Sequence, residues 1–336
     1  MPRAAVVDAI GHFIPAARES NDELARVIDT SDEWIRTRTG IAARSRAAPD
    51  EPTSALAAAA GRAALARSSA AGADTVIVAT TTPDMKCPAT APVVADMLGL
   101  GQAATFDVNS ACTGFLVGLA IGSGLIATAN ATSVLLIGAE KYSSIICRED
   151  RHTAPIFGDG AGAMVLRAGT HDHPSAVGQV ILGSDGSLWN LAYVKSGGSR
   201  YPRDERTGAH DPYLRMEGRA TYRHAVARMV ESCQQCLKAR SMTTEDIDFL
   251  VAHQANVRIL KEVARELGIP EERAIVDLSD IGNTAAASIP VALSRAWMNG
   301  TLIGGETLLL TAFGAGASWG ATILRWPVLH RGEEGI

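Results

Sequence analysis

The sequence predicts an α/β fold made of two related halves, residues 1–172 and 173–336. Strand-like apolar runs alternate with helix-length segments along all 336 residues. A strand ending near residue 80 precedes Cys112 by about the distance at which one ending near 252 precedes Asn283, and the glycine-rich run 157–166 is echoed by 313–324. Alternation with an internal repeat implies two packed βαβ sheets related by a pseudo-twofold axis.

The elements follow in order. Residues 3–10 read as a strand, and a helix starts near Asn21 with Asn21 or Asp22 as its cap. Ser31-Asp-Glu-Trp34 opens a short helix, and Trp34 stands close to Arg36 and Arg38. An indole beside guanidinium groups suits a nucleotide base and its phosphates, or is simply a half-buried tryptophan among solvated arginines. An alanine-rich helix over 53–71 leads to a strand at 74–80, a polar loop with Pro83 and Pro88, and a helix over about 89–98. Then comes Phe106-Asp-Val-Asn-Ser-Ala-Cys112-Thr-Gly-Phe, where a strand gives way to a buried helix. A strand over 133–138 precedes Gly158-Asp-Gly-Ala-Gly-Ala163, read as a turn running into a strand. The second half repeats the plan: a helix over 219–239, a strand over 247–252 ending at His253, small residues opening a helix after Asn283, and a closing glycine-rich turn at 313–316.

Composition narrows the functional classes. Hydrophobic residues make up 47% and charged residues 20%, which excludes a disordered chain. A net charge of −5 argues against nucleic-acid binding. Five scattered cysteines do not form a disulfide framework, and Cys233-Gln-Gln-Cys236 falls within a helical pattern where core packing explains it. No ligand cluster has spacing suited to a metal, and no apolar run is long enough to span a membrane. A soluble, cytoplasmic protein is expected.

Cys112 is the candidate centre. A thiol at a helix N-terminus meets unpaired N–H groups and the positive end of the helix dipole, which favour thiolate. The alternative is an inert core cysteine. If the halves face each other, Cys112, His253 and Asn283 converge in one cleft. Thiolates exchange with thioesters, so the natural chemistry is acyl transfer. His253 would then move a proton or donate to an oxyanion, and the Asn283 amide donates without titrating. Two neutral donors on one oxygen stabilise an enolate, as formed when a malonyl thioester loses carbon dioxide.

SACTGF around Cys112, GDGAGA at 158–163, HQANVR at 253–258, GNTAAAS at 282–288 and the FGAGASWG end closely resemble the β-ketoacyl-acyl-carrier-protein synthase III family of the thiolase fold. The resemblance runs from residues 29–41 to the end of the chain. It implies a five-layered αβαβα thiolase arrangement, usually a homodimer, with no permanently bound cofactor. It assigns Cys112 to carry an acyl group from a coenzyme A or carrier-protein thioester, with His253 and Asn283 promoting decarboxylation of malonyl-acyl-carrier protein. The oxyanion-hole donors would be the N–H groups of Cys112 and Ala315. Trp34 and Arg151 fall where the family sandwiches the adenine of coenzyme A, and Arg38, Asn256 and Arg258 where it contacts the nucleotide and pantetheine. Arg223, Arg258, Lys261 and Arg265 would receive the acidic carrier protein.

The acyl pocket is assigned to Cys87, Tyr142, Phe157 and Leu214. Members that prime fatty-acid synthesis carry bulky apolar residues at the positions of Cys87 and Tyr142, so an acyl group larger or more polar than acetyl is expected, as in a polyketide-type pathway. Two other readings stay open at this point: acyl transfer to an amine or alcohol without carbon–carbon bond formation, and a non-catalytic scaffold that binds acyl groups or coenzyme A. Asn283 favours condensation, because simple acyl transfer needs no enolate donor pair. The loop 195–212 is polar and a candidate cap for the tunnel.

Overall fold

The computed structural model describes residues 3–69, 72–202 and 211–329. Up to residue 170 the chain runs through β1 (Arg3–Phe13), β2 (Ala17–Ser20), α1 (Asn21–Ala25), α2 (Asp32–Thr39), β3 (Ala43–Arg46), α3 (Thr53–Leu65), β4 (Thr75–Ala79), α4 (Thr90–Met97), β5 (Ala104–Val108), α5 (Gly114–Ala127), β6 (Ser133–Lys141) and β7 (Asp159–Thr170). It continues through β8 (Ile181–Ser184), β9 (Ala192–Val194), β10 (Leu214–Met216), α6 (Gly218–Ala239), β11 (Phe249–Ala252), α7 (Val257–Leu267), α8 (Ser288–Met298), β12 (Thr307–Gly314) and β13 (Ser318–Arg325).

The repeat is explicit in the sheets. The first has the order β1-β7-β6-β4-β5 and the second, read in the same sense, β8-β13-β12-β11. Antiparallel and parallel pairings match step for step along the shared four strands. In the second sheet the place of β5 is held by a single bridge, Leu250 to Ala274.

Strands buried on both faces explain the layers. In β6, Leu135 and Ile137 pack with α3 and α4, whereas Val134 and Leu136 pack with α5. In β12, Leu309 packs with α6 and α7, whereas Leu308 and Leu310 join α5 and α8. The order is therefore helices, sheet, the central pair α5 and α8, sheet, helices: the five-layered α/β thiolase arrangement. Cys233 and Cys236 of α6 are buried in its core. Among the described residues no helix is long and apolar enough to cross a membrane.

Three local expectations are corrected. The cap of α1 is Ser20, whose hydroxyl accepts from Glu23 N–H in a capping box, while Asn21 is buried and donates to Asp32 and Ile41. GDGAGA is not a turn, because residues 159–163 lie within β7. The glycine signal there reflects close approach, since a Cβ at Gly158 would overlap the Ile281 carbonyl oxygen. Finally, the repeat pairs Asn283 with Asn109 and not with Cys112. Ala111 and Ala285 open matching 3-10 turns with φ of 44° and 46°, and in each case the asparagine two residues earlier accepts from their N–H. Of the loop 195–212, residues 203–210 lie outside the described residues.

Candidate active site

Cys112 sits in the middle of the 3-10 turn between β5 and α5. The left-handed Ala111 reverses the chain sharply, and Thr113 fixes the turn by donating to Ser110 O at 2.6 Å and sharing a hydrogen bond with Ser318 Oγ of β13. The end of β12 passes directly against it. A Cβ on Gly314 would lie 2.9 Å from Cys112 N, with backbone atoms that cannot step aside. Gly314→Ala is therefore expected to displace the Cys112 turn at a cost of about 1–3 kcal/mol. Thermal denaturation and acylation rate should fall together, and an unchanged acylation rate would show that the turn tolerates the shift.

One cavity of about 1460 Å³ receives all of the central residues. Its walls run from Cys112, His253, Asn283, Phe313 and Ala315 outward to Trp34 and the exposed Arg38, Arg151 and Arg258. Thus Cys112, His253 and Asn283, far apart in sequence, converge as expected, and Asn256, Tyr142, Phe157 and Leu214 also line this space.

His253 follows β11 directly and is 3% exposed. Burial pushes its imidazole down to about 3, so the ring is neutral at neutral pH. Its Nδ1 lies 2.6 Å from Ser288 Oγ, which already accepts from Gln254 N–H at 3.3 Å. The serine hydroxyl is thus best placed to donate to Nδ1, which leaves the one ring proton on Nε2 for the cavity. Sequence reasoning passed over Ser288, although it closes the GNTAAAS run.

Asn283 is held at its backbone from both sides: its N–H donates to Ile156 O at 2.9 Å and its carbonyl accepts from Gly158 N–H at 3.0 Å. Its Oδ1 accepts from Ala285 N–H at 2.8 Å, so Nδ2 is the part left to donate. His253 and Asn283 therefore offer two uncharged N–H donors to one space.

The thiol differs from expectation. Burial, with the Glu140 carboxylate as the next cause, pushes Cys112 up to about 12 and outweighs the backbone hydrogen bond that favours thiolate. At rest the sulfur is protonated. Glu140 is itself fully buried and raised by burial to about 7, against hydrogen bonds from Thr82 Oγ1 at 2.7 Å and Thr81 N–H at 3.1 Å. At pH 8 it is ionised, so Glu140→Gln removes a negative charge and lowers the thiol pKa. Alkylation of Cys112 at that pH, resolved by peptide from the exposed Cys87, should quicken roughly tenfold. An unchanged rate would mean that the carboxylate is not felt at the sulfur.

At the outer end, Trp34 carries Arg38 at 4.5 Å and Arg151 at 4.8 Å from its ring centroid. The expected slot for adenine is thus filled by the Arg151 guanidinium, which must move to admit a base. Asn256 caps α7 by accepting from Ile259 N–H at 3.0 Å, leaving its amide nitrogen for other contacts.

Cys87 does not line the cavity of this chain. It lies on an exposed loop after β4, which Lys86 ties outward by donating to Gly197 O. The expected basic patch is also reduced. Lys261 pairs with Glu271 at 2.6 Å and Arg265 with Glu262 and Glu266, which leaves Arg223 and Arg258 of the expected four, and Arg219 also lines the cavity. Arg219 stands one turn before Arg223 on α6 and was not singled out with it.

Comparison with known proteins points to one family. The model of the 3-oxoacyl-[acyl-carrier-protein] synthase III family matches residues 106–186, and that of the family's C-terminal part matches 237–326. The chain is 50% identical to a β-ketoacyl-[acyl-carrier-protein] synthase III of Streptomyces coelicolor over 98% of this chain and 99% of that one. It is 45% identical to the synthase III of Pseudomonas aeruginosa over 97% and 98%. Among solved structures, a 3-oxoacyl-(acyl carrier protein) synthase III of Pseudomonas aeruginosa superposes with a TM-score of 0.91 at 43% identity, covering 97% and 99%. The priming β-ketosynthase of the R1128 polyketide pathway superposes with a TM-score of 0.91 at 35% identity, covering 97% of each chain.

Proposed function

This chain belongs to the 3-oxoacyl-[acyl-carrier-protein] synthase III family, and we propose that it condenses an acyl group from a coenzyme A thioester with malonyl-acyl-carrier protein by way of Cys112. The observation that carries the reading is the convergence of one buried thiol and two neutral donors, His253 and Asn283, on a single cavity.

In the first half-reaction Cys112 Sγ attacks the thioester carbonyl. The thiol is protonated at rest, so its proton leaves as the new C–S bond forms and ends on the departing coenzyme A sulfur. The N–H groups of Cys112 and Ala315 hold the oxyanion. In the second, the malonyl C–C bond breaks and its electron pair passes into an enolate. His253 Nε2–H and Asn283 Nδ2–H donate to the enolate oxygen. The enolate carbon attacks the acyl-Cys112 carbonyl, a C–C bond forms, the C–S bond breaks and the sulfur regains a proton. Acyl-CoA, malonyl-carrier and one proton give 3-oxoacyl-carrier, coenzyme A and carbon dioxide.

Trp34, Arg38, Arg151, Asn256 and Arg258 hold the coenzyme in this reading, with Arg151 moving off Trp34 to admit the adenine. Arg219, Arg223 and Arg258 receive the carrier protein. The assembly is a cytoplasmic homodimer that uses the edge strand β5, where Phe106 and Val108 are half-buried in one chain. The halves divide at 172/173. The test is to supply acyl-CoA and malonyl-carrier protein and identify the carrier-bound product by mass spectrometry. A 3-oxoacyl thioester two carbons longer than the donor supports the reading, and its absence with active Cys112 acylation defeats it.

A further inference from the structure

Tyr142 follows β6 and stacks on Phe157, ring centroids 4.7 Å apart and planes 14° from parallel. Both rings line the same cavity as Cys112, together with Leu214, Ala225 and Met229. This part of the wall is apolar except for the phenol. Tyr142 is 3% exposed, and its neighbours are tied down: Lys141 N–H donates to Thr82 Oγ1 at 2.9 Å, and Ser143 donates to Asp159 through N–H at 2.9 Å and Oγ at 2.6 Å. The ring therefore cannot swing its hydroxyl to solvent.

The phenol stands next to the Thr81 side chain, whose Oγ1 is buried and completes no hydrogen bond among the described residues. Thr81 is fixed in turn, since its N–H donates to both Glu140 oxygens at 3.1 Å. Burial, with Cys112 and Glu140 adding to it, holds the phenol well above its ordinary value, so it is a neutral donor. A buried hydroxyl without a completed hydrogen bond is uncommon, because it loses water and gains nothing. A bound molecule that brings an oxygen to the phenol beside it supplies the missing partner.

We propose that the pocket selects a starter acyl group carrying a hydroxyl or carbonyl oxygen beyond its thioester, with the Tyr142 hydroxyl donating to that oxygen and Thr81 completing its hydrogen bonding. This rests on the reading of Cys112 as the acyl carrier. Phe157 and Leu214 supply the apolar contact for the rest of the chain, and the added oxygen sets the choice among chains of equal length. The selection resembles that of any site built to hydrogen-bond a substrate oxygen: an analogue lacking it leaves the protein's polar groups unpaired.

The test compares matched donors: butyryl-CoA with 3-hydroxybutyryl-CoA and acetoacetyl-CoA, and hexanoyl-CoA with its 3-, 4- and 5-hydroxy derivatives. Initial rates of Cys112 acylation are read by intact-protein mass spectrometry for wild type, Tyr142→Phe and Thr81→Val. In at least one set the wild type should prefer the oxygenated donor by about tenfold or more in kcat/KM. Tyr142→Phe, which keeps the stacked ring, should collapse that ratio, and Thr81→Val should reduce it. Taking the ratio within each variant cancels any general loss of activity. Preference for the unsubstituted donor in every set, or an unchanged ratio in Tyr142→Phe, overturns the proposal. If no donor acylates Cys112, or an adduct persists in Cys112→Ala, the carrier reading itself fails and the proposal falls with it.

Discussion

Cys112→Ala should abolish the acyl-enzyme, with at least a thousandfold loss of condensation. The expectation rests on position. Cys112 alone of the five cysteines lines the cavity, whereas Cys87 is on an exposed loop, Cys147 is half-buried outside the cavity with its thiol on Glu149, and Cys233 and Cys236 are buried on α6. No other sulfur can take over. The structure also accounts for how a thiol held at about 12 can serve: it is needed as a nucleophile only when a thioester carbonyl is in place and the departing sulfur can take the proton. Intact-protein mass spectrometry after incubation with acyl-CoA reads the result directly, and an undiminished adduct in the variant would remove Cys112 from the mechanism. The variant should fold normally, because the loss of one sulfur from a cavity wall leaves the Ser110, Thr113 and Ser318 hydrogen bonds intact.

Asn283→Asp should slow release of carbon dioxide from malonyl-carrier protein by about 10²–10³-fold, with Cys112 acylation much less affected. The substitution keeps the shape of the side chain and its acceptor for Ala285 N–H, but exchanges the donor aimed at the enolate for an oxygen. A carboxylate there would also repel the developing negative charge. His253→Ala should cause a loss of similar size through the other donor. Because burial keeps His253 neutral down to about 3, ionisation of this imidazole should leave no break in the decarboxylation rate between pH 5 and 8. Measuring carbon dioxide release and self-acylation separately distinguishes these effects. Equal losses in both half-reactions would show that Asn283 supports the site as a whole and not the enolate.

Much of this was legible before any coordinates. The apolar run through β6 announced a strand, and the succession of strands and helices announced two similar sheets. The repeat was visible because strand ends and glycine-rich runs recur, but spacing alone paired Cys112 with Asn283. The true match, Asn109 with Asn283, depends on the left-handed Ala111 and Ala285, and nothing in an alanine advertises that conformation. Glycine at 158 was read as a turn because glycine usually breaks structure, whereas here it lets β7 pass against the Ile281 carbonyl. The raised Cys112 thiol was not legible either. A helix N-terminus is visible in sequence, but the depth of burial and the placement of Glu140 beneath the site are not. Likewise, Lys261 and Arg265 looked like free cations until their own helix and the following turn supplied carboxylates. Cys87 was placed in the pocket by its position in a resembling sequence, and the loop carries it outward in this chain.

The most direct test of the central claim is to load the protein with an acyl-CoA, remove the excess donor, and add malonyl-carrier protein while following both the mass of the enzyme and carbon dioxide. The account predicts that the Cys112 adduct disappears as carbon dioxide is released in equal amount and a 3-oxoacyl-carrier forms. Discharge of the adduct by an amine or alcohol, with the malonyl carrier left intact, would contradict it and make the protein an acyltransferase that forms no carbon–carbon bond.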